Sequence, residues 1–341
     1  MHHRIVALES QHQPLPADGF DFPNTLTAYQ KTSTVQELHD RIRNATIIIS
    51  TTVKLDAAAL QPEVTPHLQY VAASATGSDH IDLGAAKARG IRVTNCPGAN
   101  LQAVSEHALS LYFASRRRTV LLDSKVRERP SEWKQEGSIN KYMRLPDGSP
   151  PLTCKEEVLG IVGYGGLGKR LADLGRALGM TVLIAARKPS ASASLAGALP
   201  TPTPDSDRVS FDEVLRRATV LVLALPRTPE TLNLISSAEL EKMHPYSVLI
   251  NIARGGIVDE AAVVQALKHK QIAGYATDVY QVEPVGGPED TPLLSEEAKD
   301  LNITMSPHLA WFSQRTLTNL GDILKATVEG WAKGEEINVI A

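Results

Sequence analysis

Four ionisable side chains stand just beyond short apolar runs in the last hundred residues of the sequence. Arg254 follows the run at 247–252, and His308 follows the run at 303–305. Asp278 and Glu283 both follow the run at 272–276. Each alone has an ordinary structural explanation, such as a turn cation, a helix cap or a partly buried histidine. Because such runs predict parallel strands whose carboxyl ends share one edge of a sheet, we expect all four residues at one ligand site.

Together these residue types suit the reduction of a 2-keto acid by a dihydronicotinamide. The guanidinium of Arg254, planar and always charged, can anchor a substrate carboxylate. An imidazole titrates near neutrality, so His308 can give a proton to the carbonyl oxygen as hydride arrives. A hydrogen bond donated by the ring to the Glu283 carboxylate would orient that ring and stabilise its charged form. Asp278 is expected to hold the nicotinamide carboxamide.

A glycine-rich segment supplies the site for such a cofactor. It reads Gly163-Tyr164-Gly165-Gly166-Leu167-Gly168, directly after the apolar run at 158–162 and before a helical stretch. Gly163 allows a tight turn, Gly165 lets the backbone approach a pyrophosphate, and Gly168 lets helix and strand pack closely. With a second strand predicted at 181–185, the segment predicts a dinucleotide site.

The choice between NAD and NADP depends on the end of that second strand. An NAD site carries an acidic residue there, about 20 positions past the first glycine, to bind the ribose hydroxyls. This sequence has Arg187 and Lys188 instead, and no Asp or Glu occurs between Asp173 and Asp205. A guanidinium binds a 2'-phosphate through charge-assisted bonds, so we predict that NADP(H) is preferred, with NAD(H) possible.

The elements that must position these residues form two α/β halves. Near-continuous apolar runs at 158–162, 181–185, 219–225, 247–252, 272–276 and 303–305 predict strands buried on both faces, covered by helices such as 169–178 and 260–269. The first hundred residues alternate strand-like runs at 4–8, 45–50, 69–73 and 91–94 with helical stretches at 35–43, 56–60 and 83–89. Two doubly wound parallel sheets are therefore expected.

The connecting segments are predicted from composition. A hinge at 98–100 precedes a long helix at 101–116, and residues 124–155, broken by prolines, suggest a long loop packed through Trp133 and Tyr142. Residues 190–206, rich in Ser, Ala and Pro, predict a surface loop. The run Arg116-Arg117-Arg118 is interpreted as a solvated helix end, and His80 and His107 as structural residues.

Length, charge and cysteine content exclude several classes of protein. The 341 residues suffice for about two domains, and 35 basic against 38 acidic side chains give no electrostatic case for nucleic acid or membrane as a partner. No apolar run approaches the ~18 residues of a membrane span. The two cysteines, Cys96 and Cys154, are not a disulfide framework, so a reducing cytoplasmic location is expected. No spacing of ligands supports a metal site.

The motifs, in order and spacing, resemble the D-2-hydroxyacid dehydrogenases between about residues 69 and 311. The matching segments are Thr76-Gly77-Ser78-Asp79-His80-Ile81-Asp82, the 163–168 loop, Leu225-Pro226-Arg227-Thr228-Pro229-Glu230-Thr231, Asn251-Ile252-Ala253-Arg254-Gly255-Gly256-Ile257-Val258-Asp259, Thr277-Asp278-Val279-Tyr280 with Glu283-Pro284, and Ser306-Pro307-His308. His308-Leu309-Ala310-Trp311 resembles the hydroxypyruvate and glyoxylate reductase branch, also called glycerate dehydrogenases, and Arg187 with Lys188 resembles its NADPH-using members.

This resemblance implies a role for each matched residue. Arg254, Glu283 and His308 are implied to be catalytic, and Thr76, Gly77 and Arg254 to bind the substrate, with Asn100 as a further contact. Cofactor contacts are implied at Gly163, Gly165, Gly166, Leu167, Gly168, Arg187, Lys188, Leu225, Pro226, Thr231, Ala253 and Asp278.

The resemblance also implies the domain organisation. Residues 1–98 with 309–341 would form a flavodoxin-like substrate domain, and residues 99–308 an inserted Rossmann domain that binds NAD(P), with a cleft between the two. A symmetric homodimer, formed through the nucleotide-binding domain, is expected, with a small 2-keto or 2-hydroxy acid as the ligand.

Two other functions remain open from the sequence. A corepressor-like protein that senses dinucleotides without turnover could keep the whole constellation. Formate dehydrogenases of the same fold resemble this chain around Arg254, but they carry glutamine where Glu283 stands, which disfavours formate as the substrate.

Overall fold

The computed structural model describes residues 2–188 and 208–341. The surface loop predicted at 190–206 lies outside the described residues. The chain falls into two compact units, of which one comprises Met1–Asn100 with Phe312–Ala341 and the other Leu101–Trp311. The boundaries expected from the sequence lie slightly earlier, after residues 98 and 308, so Asn100 belongs to the first unit.

Strands and helices alternate along the described chain. The strands are β1 (His3–Ala7), β2 (Asn24–Ala28), β3 (Ile47–Ser50), β4 (Tyr70–Ala73), β5 (Arg92–Thr94), β6 (Val158–Val162), β7 (Thr181–Ala185), β8 (Arg208–Val209), β9 (Val220–Leu223), β10 (Val248–Asn251), β11 (Gly274–Thr277) and β12 (Ile303–Met305). The helices are α1 (Val35–Ile42), α2 (Leu83–Ala88), α3 (Leu101–Arg117), α4 (Thr119–Arg127), α5 (Glu132–Glu136), α6 (Gly166–Ala177), α7 (Phe211–Arg217), α8 (Ser237–Leu240), α9 (Glu260–Lys268) and α10 (Gln314–Ala332).

The first unit contains a five-stranded sheet in the order β2-β1-β3-β4-β5, with every pair parallel. This is the flavodoxin-like order. All four residues of β3 are buried, as strands covered on both faces require. Helix α10 closes one face, where Trp331 stacks on Tyr70 with ring centroids 4.8 Å apart.

The second unit contains a seven-stranded parallel sheet in the order β12-β11-β10-β9-β6-β7-β8. Counted from β6, this is the Rossmann order with one added strand, and the order in which successive strands are added reverses between β6 and β9. Ligands bind at that reversal, beyond the carboxyl ends of the strands. The structure therefore confirms the predicted α/β class with two doubly wound parallel sheets.

The structure corrects the sequence at three local elements. Strand β2 was missed because it lies at the sheet edge and its side chains are partly or wholly exposed, so no apolar run marks it. Residues 56–60, predicted as a helix, form turns. The segment 124–155, predicted as a loop, contains the end of α4 and the short helix α5, and Trp133 is 52% exposed rather than packed.

Arg116 also differs from its interpretation as a solvated helix end. Its guanidinium is buried and forms a two-point ion pair with Glu157, with Nε 2.6 Å from Oε1 and Nη2 3.0 Å from Oε2. Arg116 also donates to the backbone carbonyls of Tyr246 and Thr219. A run of three arginines in sequence cannot reveal that one of them faces the interior, where a buried carboxylate satisfies its donors.

Candidate active site

Three loops carry the residues predicted to do chemistry, and they follow three neighbouring strands. Arg254 follows β10, Glu283 follows β11 and His308 follows β12. These strands are adjacent and parallel, so their carboxyl ends lie along one stretch of the sheet edge. The structure thus brings the three residues to the same end of the second unit.

Glu283 and His308 form a direct pair. His308 Nδ1 lies 2.6 Å from Glu283 Oε2, and the other carboxylate oxygen accepts a hydrogen bond from the backbone N–H of Tyr280 at 2.8 Å. Burial raises the pKa of Glu283, but the hydrogen bond and charge of His308 outweigh it, with the charge of Arg254 adding to the effect. The pKa of Glu283 is therefore below its ordinary value of 4.5, and its carboxylate stays charged at neutral pH.

The backbone of His308 has a left-handed conformation, with a φ of 53°. Such a conformation is uncommon for a residue with a side chain and needs support from its surroundings. Asp278 supplies that support, because its carboxylate accepts hydrogen bonds from the N–H groups of Leu309 at 3.0 Å and Ala310 at 2.9 Å. Trp311 Nε1 donates to the carbonyl of His308 at 3.0 Å.

Asp278 is buried, and its oxygens have protein partners that the sequence did not indicate. Besides the two backbone N–H groups, Oδ1 accepts from Ser306 Oγ at 2.6 Å. His107, which we interpreted as structural, extends from α3 to this cluster, with Nε2 2.8 Å from Ser306 Oγ and 3.6 Å from Asp278 Oδ1. These bonds mean that Asp278 fixes the loop that carries His308, a role separate from the expected contact with the nicotinamide.

Arg254 is held by the turn that follows β10. Asn251 Nδ2 donates to the carbonyl of Arg254 at 2.9 Å, and Asn251 Oδ1 accepts from the N–H of Ala253 at 3.1 Å. The guanidinium itself donates through Nη1 to the carbonyl of Ala253 at 2.8 Å. Ala253 is buried. The half-buried guanidinium is thereby supported on a short, closed turn.

The glycine loop has the shape that a dinucleotide phosphate needs. A Cβ on Gly168 would lie 2.1 Å from the carbonyl oxygen of Gly163, and Gly163 itself has a φ of 96°, so neither position accepts a larger residue. At Gly165, by contrast, a Cβ would meet no atom of the described residues within 4 Å. Gly165 is the N-cap of α6, whose first N–H groups are available to bind an anion there. The loop fits a pyrophosphate.

Five more of the predicted cofactor residues belong to the start of α6 and to the segment after β9, in the same unit. Gly166 is exposed and Leu167 half-buried at the start of α6. Leu225, Pro226 and Thr231 belong to the segment after β9, which Thr231 closes by donating to the carbonyl of Pro226 at 2.9 Å and accepting from the N–H of Thr228 at 2.7 Å. Since β9 neighbours β6, this segment begins beside the glycine loop, where a Cβ on Gly163 would lie 3.0 Å from Leu225 Cβ.

Arg187 and Lys188 differ in their surroundings. Both follow β7, but Lys188 Nζ lies 2.9 Å from Oε1 of Glu239, a buried carboxylate on α8. Arg187 is exposed, and its charge helps lower the pKa of Glu230 after the hydrogen bonds that this carboxylate accepts. Sequence reasoning missed both acids, because they are distant in the chain. Arg187 is the more available cation.

The residues predicted to bind substrate outside this unit lie together in the first one. Thr76 and Gly77 follow β4 and are partly exposed. Thr76 Oγ1 is within 3.2 Å of Asn100 Oδ1, and Asn95 Nδ2 donates to the carbonyl of Thr76 at 2.7 Å. Thr76 and Asn100, distant in sequence, are thus in contact.

Comparison with known proteins identifies the family. A family described as "D-isomer specific 2-hydroxyacid dehydrogenase, NAD binding domain" matches residues 109–310. The chain belongs to the D-isomer-specific 2-hydroxyacid dehydrogenases. It is 34% identical to glycerate dehydrogenase of Methylorubrum extorquens, over 99% of this chain and 98% of that one. It is 32% identical to glyoxylate reductase of Thermococcus litoralis, over 87% of this chain and 84% of that one.

Among solved structures, the chain is similar to an NADPH-dependent glyoxylate/hydroxypyruvate reductase from Sinorhizobium meliloti, determined in complex with NADP and malonate. The TM-score is 0.74 at 24% identity, and the match covers 100% of this chain and 97% of that one. At this identity the similarity shows a shared fold.

The family establishes what the dehydrogenase binds and the class of its reaction. It is an NAD(P)-dependent oxidoreductase of 2-hydroxy acids, which confirms the predicted cofactor class and substrate class. No helix in residues 2–188 or 208–341 is long and apolar enough to cross a membrane. Across that same described part of the chain, no three His, Cys, Asp or Glu side chains are grouped to hold a metal ion.

Proposed function

We propose that this dehydrogenase reduces small 2-keto acids, hydroxypyruvate to D-glycerate and glyoxylate to glycolate, with NADPH preferred. The observation that carries the proposal is the 2.6 Å contact between His308 and Glu283, on the loop next to that of Arg254. The relatives named glycerate dehydrogenase and glyoxylate reductase support the size of the substrate.

Each of the three residues has one task in this reaction. Arg254 binds the substrate carboxylate through its planar guanidinium. Protonated His308 donates its Nε2 proton to the carbonyl oxygen, which becomes the hydroxyl of the product. Glu283 accepts from Nδ1, which leaves Nε2 to face the substrate and favours the charged imidazole before each turnover. When bound, the dihydronicotinamide would supply the hydride that reduces the carbonyl carbon.

In this proposal the other predicted residues bind the substrate and the cofactor. Thr76, Gly77 and Asn100 bind the substrate. The glycine loop binds the pyrophosphate at the start of α6, and Arg187 binds the 2'-phosphate of NADPH. Lys188 contributes less, since its ammonium is already paired with Glu239.

The proposal is tested by steady-state kinetics with glyoxylate, hydroxypyruvate, pyruvate and bulkier 2-keto acids, each with NADPH and with NADH. We expect the highest kcat/KM for the two- and three-carbon acids with NADPH. Equal efficiency with NADH contradicts the cofactor preference alone. Tight cofactor binding with no turnover of any keto acid contradicts the enzymatic role and identifies a dinucleotide sensor.

We also propose that the protein is a homodimer formed through the second unit. Four large apolar side chains are exposed on its helices α3 to α5: Phe113 (39%), Val120 (61%), Val126 (47%) and Trp133 (52%). Apolar and aromatic groups concentrated in one segment are typical of an interface core, and a two-fold dimer is the commonest closed assembly. Sedimentation at micromolar concentration should give twice the monomer mass, and Trp133→Asp should return the monomer.

A further inference from the structure

Tyr280 lies where the three catalytic loops meet. Its backbone N–H donates to Glu283 Oε1 at 2.8 Å, and its hydroxyl donates to the carbonyl of Ser306 at 3.0 Å, two residues before His308. Its carbonyl oxygen packs so closely on the Arg254 loop that a Cβ on Gly255 would lie 1.7 Å from it. One residue therefore contacts the loops of Arg254, Glu283 and His308.

We propose that the hydroxyl of Tyr280 is a positioning group, which fixes His308 in register with Glu283 and Arg254. The inference rests on the roles proposed above for these three residues. Tyr280 itself touches neither substrate nor hydride, and it acts through His308.

The acceptor of the Tyr280 hydroxyl is the important detail. The carbonyl of Ser306 also accepts the N–H of His308 at 3.1 Å, so it closes the tight turn that leads into the left-handed backbone of His308. A hydroxyl bonded to that carbonyl limits how far the turn can move. Tyr280 is 8% exposed, and burial raises the pKa of its hydroxyl to about 12, so the group remains a donor at working pH.

Tyr280→Phe removes the hydroxyl and keeps the ring, and the Ser306 carbonyl keeps its bond from His308. We expect kcat for keto-acid reduction to fall roughly three- to tenfold, the scale of one hydrogen bond, with KM for NADPH unchanged. Tyr112→Phe is the matched control, since Tyr112 is also buried in the second unit but its hydroxyl donates to Glu157, at 3.2 Å. That variant should lose comparable stability and keep the parental kcat.

A double-mutant cycle shows whether Tyr280 acts through His308. In a His308→Ala background, adding Tyr280→Phe should cause no further loss of kcat, because the group being positioned is absent. A loss by the same factor in both backgrounds overturns the proposal, as does a parental kcat in Tyr280→Phe. Tyr280→Met, which also lacks the hydroxyl but can refill the space, repeats the test should the Phe variant fold poorly.

A spectroscopic measurement separates this inference from the proposed function. The proton shared by His308 Nδ1 and Glu283 should give a low-field NMR resonance that disappears in Glu283→Gln. In Tyr280→Phe we expect that resonance to move or broaden, whichever keto acid the enzyme reduces, whereas Tyr112→Phe should leave it unchanged. An unaltered resonance in Tyr280→Phe overturns the positioning role even if the substrate survey succeeds.

Discussion

The two ends of the seven-stranded sheet are built in opposite ways. At the β10–β12 end, the carboxylates are already hydrogen-bonded within the protein. Glu283 bonds to His308 and Tyr280, and Asp278 bonds to the loop after His308. At the β6–β8 end, Gly165, Gly166 and Arg187 are exposed to solvent. We call these the catalytic end and the nucleotide end.

The difference follows from the task of each end. A proton donor must be held at a fixed position before the substrate arrives, so its orienting bonds are made within the protein. A phosphate site instead gains its affinity by offering donors to the ligand, which must therefore be left open. Substitutions of the proton-donating pair at the catalytic end should mainly change kcat, and those at the nucleotide end should mainly change cofactor discrimination.

The largest effect is expected at His308. His308→Ala should lower keto-acid reduction by roughly 100-fold or more, the scale of a general acid, while NADPH binding stays nearly intact. His269→Ala is the control, because this exposed histidine at the end of α9 bonds to the carbonyl of Gln265 in its own helix. Parental rates in His308→Ala across the pH range would show that the acid has been misassigned.

Arg254 should be next in size. Arg254→Ala should lower kcat/KM for the keto acid by roughly 10- to 100-fold, mainly by raising KM, because a charge-assisted pair with the carboxylate is lost. Arg254→Lys keeps the charge without the planar fork and should recover only part of the loss. If KM for the keto acid stays unchanged in both variants, the carboxylate is anchored elsewhere.

At the nucleotide end, the two cations should behave differently. Arg187→Ala should lower kcat/KM for NADPH roughly tenfold or more and leave NADH almost unaffected. Lys188→Ala should have a smaller effect on this ratio, since its ammonium is paired with Glu239. The measurement is the ratio of kcat/KM with NADPH to kcat/KM with NADH in each variant. A larger effect from Lys188→Ala than from Arg187→Ala would show that Lys188 binds the 2'-phosphate.

Glu283 gives the smallest change at neutral pH but alters the pH profile. Because the pKa of Glu283 is lowered, its carboxylate is charged above pH 4.5, and the charge favours the protonated imidazole of His308. Glu283→Gln removes that charge, so the upper pH limit of reduction should move to lower pH. The double variant with His308→Ala should lose little more than His308→Ala alone, and additive losses would argue against a single proton-donating unit.

How far the sequence predicts this molecule depends on the kind of interaction. The buried strands and the glycine loop were predicted because apolar runs and a local motif specify them, and the order of the strands placed Arg254, Glu283 and His308 together. The ion-pair partners of Arg116 and Lys188 were not predicted, because Glu157 and Glu239 come from distant segments of the chain. Tyr280 stood within a recognised motif, but its bond to Ser306 depends on the packing of neighbouring strands.

The division of the chain also has a consequence for the order of folding during synthesis. The second unit is continuous, from Leu101 to Trp311, and its contacts are complete once that stretch has left the ribosome. The first unit must wait, because Val93 bonds to Ile340 and Ala341 in its final residues. Its amino-terminal hundred residues are therefore synthesised before the second unit yet completed after it, and during that interval the apolar face that α10 later covers stays exposed.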